Sequence, residues 1–446
     1  MPLSIVENKY FRHFLSVVDS RYTLPARATV ASQLEKKVTL VKEKLKQDLV
    51  ETNTVNTTVD IWSDRKMRGY MATTVHYVKR GECALKSGLL MIERFTGSHT
   101  SERIAAAFDA AIDGYDIRHK IDHIVTDNAA NMRKAFTTCF PITGDDHVRD
   151  DDDSEGTVEV DDPESWEALP ANELISVVSV MEAGSRGERL SCFCHSLHLT
   201  VSDGLKDTKC VSSAIAKACK LASLLHQSQI FRDEFENEFG KNSGIPTAVC
   251  TRWNSTLRQL RAIVSLDQKK LTSVLETRGH KNIILTAREH GQLSELCDIL
   301  DPFLEATNIA QGDKCVSISS VLPAVLSLHS HLQDFIRRVK YCKPVVEVLS
   351  ASLKKRFAGL FIRATPPNLR LTHVTDDKFG SDIYVIAAVL DPSFRMHWLD
   401  VDVTGSSTDK EHLRREVTGY LLFFTAKADA VASVKLVLFV SVFFRT

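Results

Sequence analysis

Residues 123–136 read HIVTDNAANMRKAF, and the way this stretch divides decides the fold. His123 to Thr126 is a short β-like run, Asp127 and Asn128 end it, and Asn131 to Phe136 reads as helix. A carboxylate at the C-terminal tip of a strand, followed directly by a helix, is where open α/β sheets place their chemistry. The competing assignment for Asp127 is a helix N-cap, a position that Asp and Asn favour.

Upstream, Ala31–Val50 (ASQLEKKVTLVKEKLKQDLV) spaces apolar residues at helical intervals among lysines and glutamates, which predicts an amphipathic helix. Three β-like runs follow: Val55–Trp62 (VNTTVDIW), Tyr70–Val78 (YMATTVHYV) and Ala84–Phe95 (ALKSGLLMIERF). The polar connections SDRKMRG and KRGE contain glycine, as hairpin turns prefer. Ser101–Asp113 (SERIAAAFDAAID) then predicts a helix with a serine at its start.

The order β-β-β-α-β-α is that of an RNase H-like core, in which the first and fourth strands lie side by side at the sheet centre. On that fold Asp60, inside the first strand, faces Asp127 at the end of the fourth. Asp64 is the rival for the first position, but it opens a turn. Two such aspartates can hold a pair of divalent cations if a third carboxylate completes the site. Magnesium suits such hard oxygen ligands.

The formal net charge of −1 hides a segregation. Gly144–Glu167 (GDDHVRDDDDSEGTVEVDDPESWE) holds roughly twelve acids against one base, leaving about +10 on the remainder. The acidic stretch is too charged to pack a core and reads as a disordered insert, while the basic remainder suits an anionic partner such as nucleic acid. Ten cysteines lack a disulfide rhythm or a zinc-finger spacing, and Met1–Tyr10 lacks the pattern of a secretory signal. Reduced thiols in the cytosol or nucleus are therefore expected. The apolar tail Val434–Phe444 (VKLVLFVSVFF) is too short to span a bilayer, so no membrane partner is expected.

From Leu190 onward Cys192–Leu205, Ser212–Phe239 and Leu293–Ala306 carry helical spacing. The expected organisation is a helical entry segment (1–50), the first part of an RNase H-like core (51–143), an acidic insert (144–188), the remainder of the core with a helical connection (189–245), an all-α insertion domain (246–425) and an apolar tail (426–446). The fold class is α/β with a large helical addition.

The chain also resembles the hAT-superfamily transposases, most closely their zinc-finger-BED relatives. The entry segment MPLSIVENKYFRHFLSVVDSRYTLPARATV, the strand pair TTVDIWSDRKMRGYMATTVHYV, GSHTSERIAAAF, HIVTDNAANMRKAF, CFCHSLHL, TRWNSTLRQL, VLPAVLSLHSHL and AAVLDPSFRMHW follow the family's order. The resemblance implies that Asp60 and Asp127 are the catalytic, metal-binding pair, and that Cys192 and His195 fill a Cys-x2-His motif beside it. His195 contacts DNA or the second aspartate on this reading, and Cys192 has a packed structural role. A zinc site from Cys192, Cys194, His195 and His198 conflicts with their placement on different helix faces. Trp253 either stacks on an unpaired base, as the resemblance implies, or packs between helices. Arg252 and Arg258 are candidates for phosphate contacts.

Two features of the family find no counterpart in this sequence: a BED finger ahead of the entry segment, and a Ser-Glu-Arg-Phe-Ser-like motif carrying a third carboxylate on a helix of the dimerisation region. Glu411, Glu416 and Asp429 are the late carboxylates that could substitute. The expectation is a domesticated, non-catalytic nuclear protein that binds DNA or chromatin proteins in transcriptional regulation. It would be monomeric and need no cofactor. The alternative is a magnesium-dependent DNA transposase or nuclease with an Asp-Asp-Glu-type site.

Overall fold

The computed structural model describes residues 2–64, 66–139, 188–206, 209–241, 243–248, 253–311, 317–370 and 378–430, with the backbone alone at 137–139, 209 and 423–430. Of the acidic insert expected at 144–188, residues 144–187 lie outside the described residues, as does most of the apolar tail, whereas Glu188 opens a strand.

Strands β1 (Val55–Ser63), β2 (Gly69–Tyr77), β3 (Lys86–Arg94), β4 (Ile121–Thr126) and β5 (Glu188–Ser191) form a sheet in the order β3-β2-β1-β4-β5. β1, β2 and β3 pair antiparallel, whereas β4 pairs parallel with both β1 and β5. The first and fourth strands are thus neighbours at the centre, as the element order predicts for an RNase H-like core.

Helices α1 (Lys9–Val18) and α2 (Arg27–Val50) precede the sheet, α3 (Ser101–Asp113) links β3 to β4, and α4 (Ala130–Cys139) follows β4. The alternation in β1 buries Val55, Thr57 and Val59 on one face. Together with Met71 and Val75 of β2, this face packs Leu45 and Leu49 of α2, Phe108 of α3 and Phe136 of α4 into one core. Phe108 and Phe136 meet edge to face with centroids 5.1 Å apart. The N-terminal half of α2 departs from the sequence expectation of a buried stripe: Leu34, Val38 and Val41 are exposed, and the helix buries only Leu45 and Leu49.

After β5 come α5 (Phe193–Lys206), α6 (Lys209–Gln227), α7 (Gln229–Phe239), α8 (Trp253–Val264) and α9 (Gln268–Thr277). They are followed by α10 (Ala287–Ala310), α11 (Ile318–Phe335), α12 (Lys343–Arg356), α13 (Ala358–Arg363), α14 (Ile383–Leu390), α15 (His397–Val401) and α16 (Ser407–Ala430). These helices share a second core, which reaches back to Leu190 of β5. The continuous helix read over Ser212–Phe239 is two helices, because Ser228 starts α7 by accepting the Phe231 N–H on its hydroxyl (3.2 Å). Gly204 of α5 lets α12 approach closely, since a Cβ there would lie 2.5 Å from Leu349 Cδ2.

Among the described residues, no helix is long and apolar enough to cross a membrane.

Candidate functional site

Asp60 lies in β1 and Asp127 one residue beyond β4, and the parallel pairing of those strands brings the two carboxylates into electrostatic contact. Asp60 reaches solvent, yet the protein around it displaces enough water to push its carboxyl above the usual range. The negative charge of Asp127 pushes in the same direction, while the Ile61 N–H and His195 oppose it. His195, near the start of α5, completes the group. Burial draws its imidazole below the ordinary value and Arg356 adds to this, against the pull of Asp127 and Asp60. Burial thus favours the uncharged ring.

Asp64 has a different task. It accepts the backbone N–H groups of Lys66 (2.8 Å) and Arg68 (3.0 Å) and the Arg68 guanidinium (2.8 Å). The Arg68 side chain, first among these, pulls the carboxyl down to about 2. Asp64 closes the β1–β2 turn and leaves Asp60 as the residue beside Asp127.

The turn that carries Asp127 is held between two strands, β4 and β5. Asp127 Oδ1 accepts the Ala129 N–H at 3.0 Å, so the side chain also orders the entrance to α4. Arg189, from β5, donates through Nε to Thr126 Oγ1 (2.8 Å) and through one terminal nitrogen to the Asp127 carbonyl and to Asn128 Oδ1 (2.9 Å). Ser191 adds a hydroxyl to the same Asn128 oxygen at 2.8 Å. Burial lowers the Arg189 guanidinium to about 10, while the nearby Asp127 charge supports its positive form.

Sequence reasoning did not single out Arg189, Asn128 or Ser191. The one available signal was position: Glu188–Ser191 stands immediately before CFCHSLHL, but four residues are too few to show a strand period.

Cys192 stands between β5 and α5. Its backbone N–H donates to Thr126 O (2.7 Å), and burial pushes its thiol up although the N–H groups of His195 and Cys194 bond to it. Cys194 is likewise pushed up to about 12 by burial.

Trp253 departs from the base-stacking expectation. It opens α8 inside the helical core with 7% exposure, so both faces of the ring meet protein. Arg258 is exposed, and its Nε donates weakly to its own helix at Asn254 O (3.4 Å). Arg252 lies outside the described residues, as does the side chain of Asp429.

Magnesium would ask for hard oxygen donors, and two-metal chemistry for three carboxylates. Among the described residues no group of three His, Cys, Asp or Glu is arranged to hold a metal ion, whether around Asp60 and Asp127 or around Cys192 and Cys194. Glu416 is engaged by Arg370 at 2.8 and 2.9 Å, and Glu411 pairs with Arg414 at 3.2 Å. The described donors are an incomplete set for a metal, and no hydrolytic step follows from them.

A five-stranded sheet in this order, with Asp60 in its first strand and Asp127 one residue past its fourth, defines an RNase H-like core. Comparison with known proteins specifies the branch. The family model described as the ZBED1 RNase-like domain matches residues 58–140. A Zea mays protein bearing the AC transposase name is 26% identical over 320 residues, covering 70% of this chain and 35% of its own length. A Talaromyces stipitatus protein named as a transcriptional regulator is 23% identical over 348 residues, with 75% and 39% covered. Human zinc finger BED domain-containing protein 4 is 20% identical over 413 residues, with 88% and 29% covered. The chain spans about a third of the length of these curated relatives. The chain is thus similar to hAT transposases and to BED-finger proteins over most of its length.

Proposed function

We propose that this chain is a nuclear, DNA-engaging protein of transposase descent that acts in transcriptional regulation and does not cut its target. The observation that carries this reading is the pairing of Asp60 with Asp127 without a third acidic partner among the described residues. The relatives bearing transposase, transcriptional-regulator and BED-finger names support the nuclear setting. On this reading Arg189 and Asn128 hold the β4 turn as a binding surface. The electrostatic repulsion between the aspartates remains as a residue of ancestry.

A second reading, a metal-dependent nuclease, is favoured by that same repulsion, because a divalent cation between the carboxylates would relieve it. Labelled nicked and hairpin DNA incubated with the protein and manganese separates the two. Intact DNA in complexes that shift on a gel is the expected result. Cleavage that disappears in Asp127→Asn would replace the first reading with the second.

A further inference from the structure

The apolar stripe of α2 runs on past the core that it serves. Leu34, Val38, Val41 and Leu45 follow one another at intervals of three or four residues, so they share one face of the helix. Leu45 is buried in the core of the sheet, whereas Leu34, Val38 and Val41 are 50%, 46% and 64% exposed. From Leu34 to Leu45 the row covers about 16 Å of helix. α1 does not roof it, and its own Tyr10, Phe14 and Val17 are exposed as well. A contiguous open apolar row of this kind marks an interaction surface.

The borders of the row are positive. Lys37 and Lys44 flank it on one side and Lys42 on the other, each three or four residues from one of its members. All three lysines are exposed, and none makes an ion pair with another described residue.

We infer that this face of α2 is the docking site of the chain's own acidic insert, which lays residues 171–182 along Leu34, Val38 and Val41 with its carboxylates against the flanking lysines. Charge selects this occupant first. Residues 140–187 carry fourteen acids against two bases, Arg149 and Arg186, opposite in sign to the lysine borders. Spacing selects it next. Residues 171–182 read ANELISVVSVME, in which Leu174, Val177, Val178 and Met181 repeat the three-and-four rhythm of the α2 row, with Glu173 and Glu182 at either end. The insert also has the reach. It departs from α4, whose Phe136 shares a core with Leu45 and Leu49 of α2. About 30 residues then lead to 171–182, enough for roughly 100 Å of extended chain. A second copy would set the lysine borders of two α2 helices against each other, and like charges so placed repel. The apolar tail Val434–Phe444 brings a lysine and no acid.

The test follows amide hydrogen exchange over residues 31–44 in the full chain, with the double substitution Leu174→Asp and Val178→Asp as the comparison. The wild type is expected to exchange there about ten-fold more slowly than the double variant, while the strands exchange alike in both. Added salt should narrow the difference, because the lysine–carboxylate contacts lie at the surface. A carbodiimide, which joins an amine to a carboxylate without a spacer, should link Lys37, Lys42 or Lys44 to the insert. A mixture of isotopically light and heavy protein should show those links within single molecules.

Equal exchange over 31–44 in the wild type and the double variant would overturn the docking. Links found only between copies would overturn it as well, and would assign the stripe to a second molecule.

Discussion

One face of one sheet is treated in two ways. Over β4 and β5 it is roofed: Leu190 joins the helical core, Val125 packs against that core, and Phe193 meets Phe357 edge to face at 5.7 Å. Over β1, β2 and β3 the same face is left to solvent, lined by Asn56, Thr58, Asp60 and Trp62. The boundary between the two halves runs between Asp60 and Asp127. Each aspartate therefore has one protein flank and one open flank, an arrangement that positions a charged group without sealing it from a large ligand. The roofed half fixes geometry, and the open half admits a partner.

The comparison is broken most severely from the roofed side. Phe193→Ala is expected to destabilise by about 3–5 kcal/mol, the usual loss for a buried aromatic, in urea denaturation. Arg189→Ala comes next, at about 2–4 kcal/mol, because it leaves the Asp127 carbonyl and Asn128 without their donor. Backbone amide shifts at 126–129 should report it, and unchanged shifts there would show that the turn holds itself.

Within the roof, Glu289 closes a capping box with Thr286 and takes Lys217 at 2.7 Å. Burial opposes its charge, but Lys217, the Thr286 N–H and Ser213 outweigh this and hold it at about 2. Its folded pKa is depressed, so its stabilisation is complete above about 4.5 and drains away as pH falls toward 2. Glu289→Ala should cost about 2 kcal/mol at pH 7 and little below pH 2. A pH-independent difference would refute this account.

Asp60→Asn sharpens the contrast with a smaller effect of opposite sign. The folded-state pKa of Asp60 is raised, so its charge weighs against folding once pH exceeds the ordinary value of 3.8. The variant should be more stable than wild type at pH 7, by less than about 1 kcal/mol because solvent screens the group, and the gain should vanish in acid. Trp62→Ala is expected to change stability least, within about 0.5 kcal/mol, as exposed substitutions do.

Much of the core was legible in the sequence because its signals are local and repeated. The β-like run Val55–Trp62 marked β1 with Asp60 inside it, and the strand-to-helix change marked the position of Asp127. Ser101–Asp113 was read to its observed bounds, although the capping oxygen belongs to Thr100, one residue earlier. What escaped depends on distant neighbours. β5 is a strand only because β4 supplies its hydrogen bonds. Arg189 matters because those bonds place it under the Asp127 turn. The row of Trp62, Tyr70 and Arg94 is assembled by register across three strands, which no single segment reveals. Trp253 has an unambiguous residue type and an ambiguous fate, and only the helices packed around it settle that fate as burial.

The parallel pairing of β1 with β4 also bears on the order in which the molecule comes together. β1, β2 and β3 are joined by short turns and can zip sequentially soon after they emerge from the ribosome. β4 cannot join them until α3 has crossed over the sheet, and β5 must then find β4 from more than sixty residues away. Non-local parallel pairings of this kind are the slow steps of folding. Asp60 and Asp127 therefore meet late, after the hairpins are complete, and the carboxylate pair is a product of the last closures of the sheet.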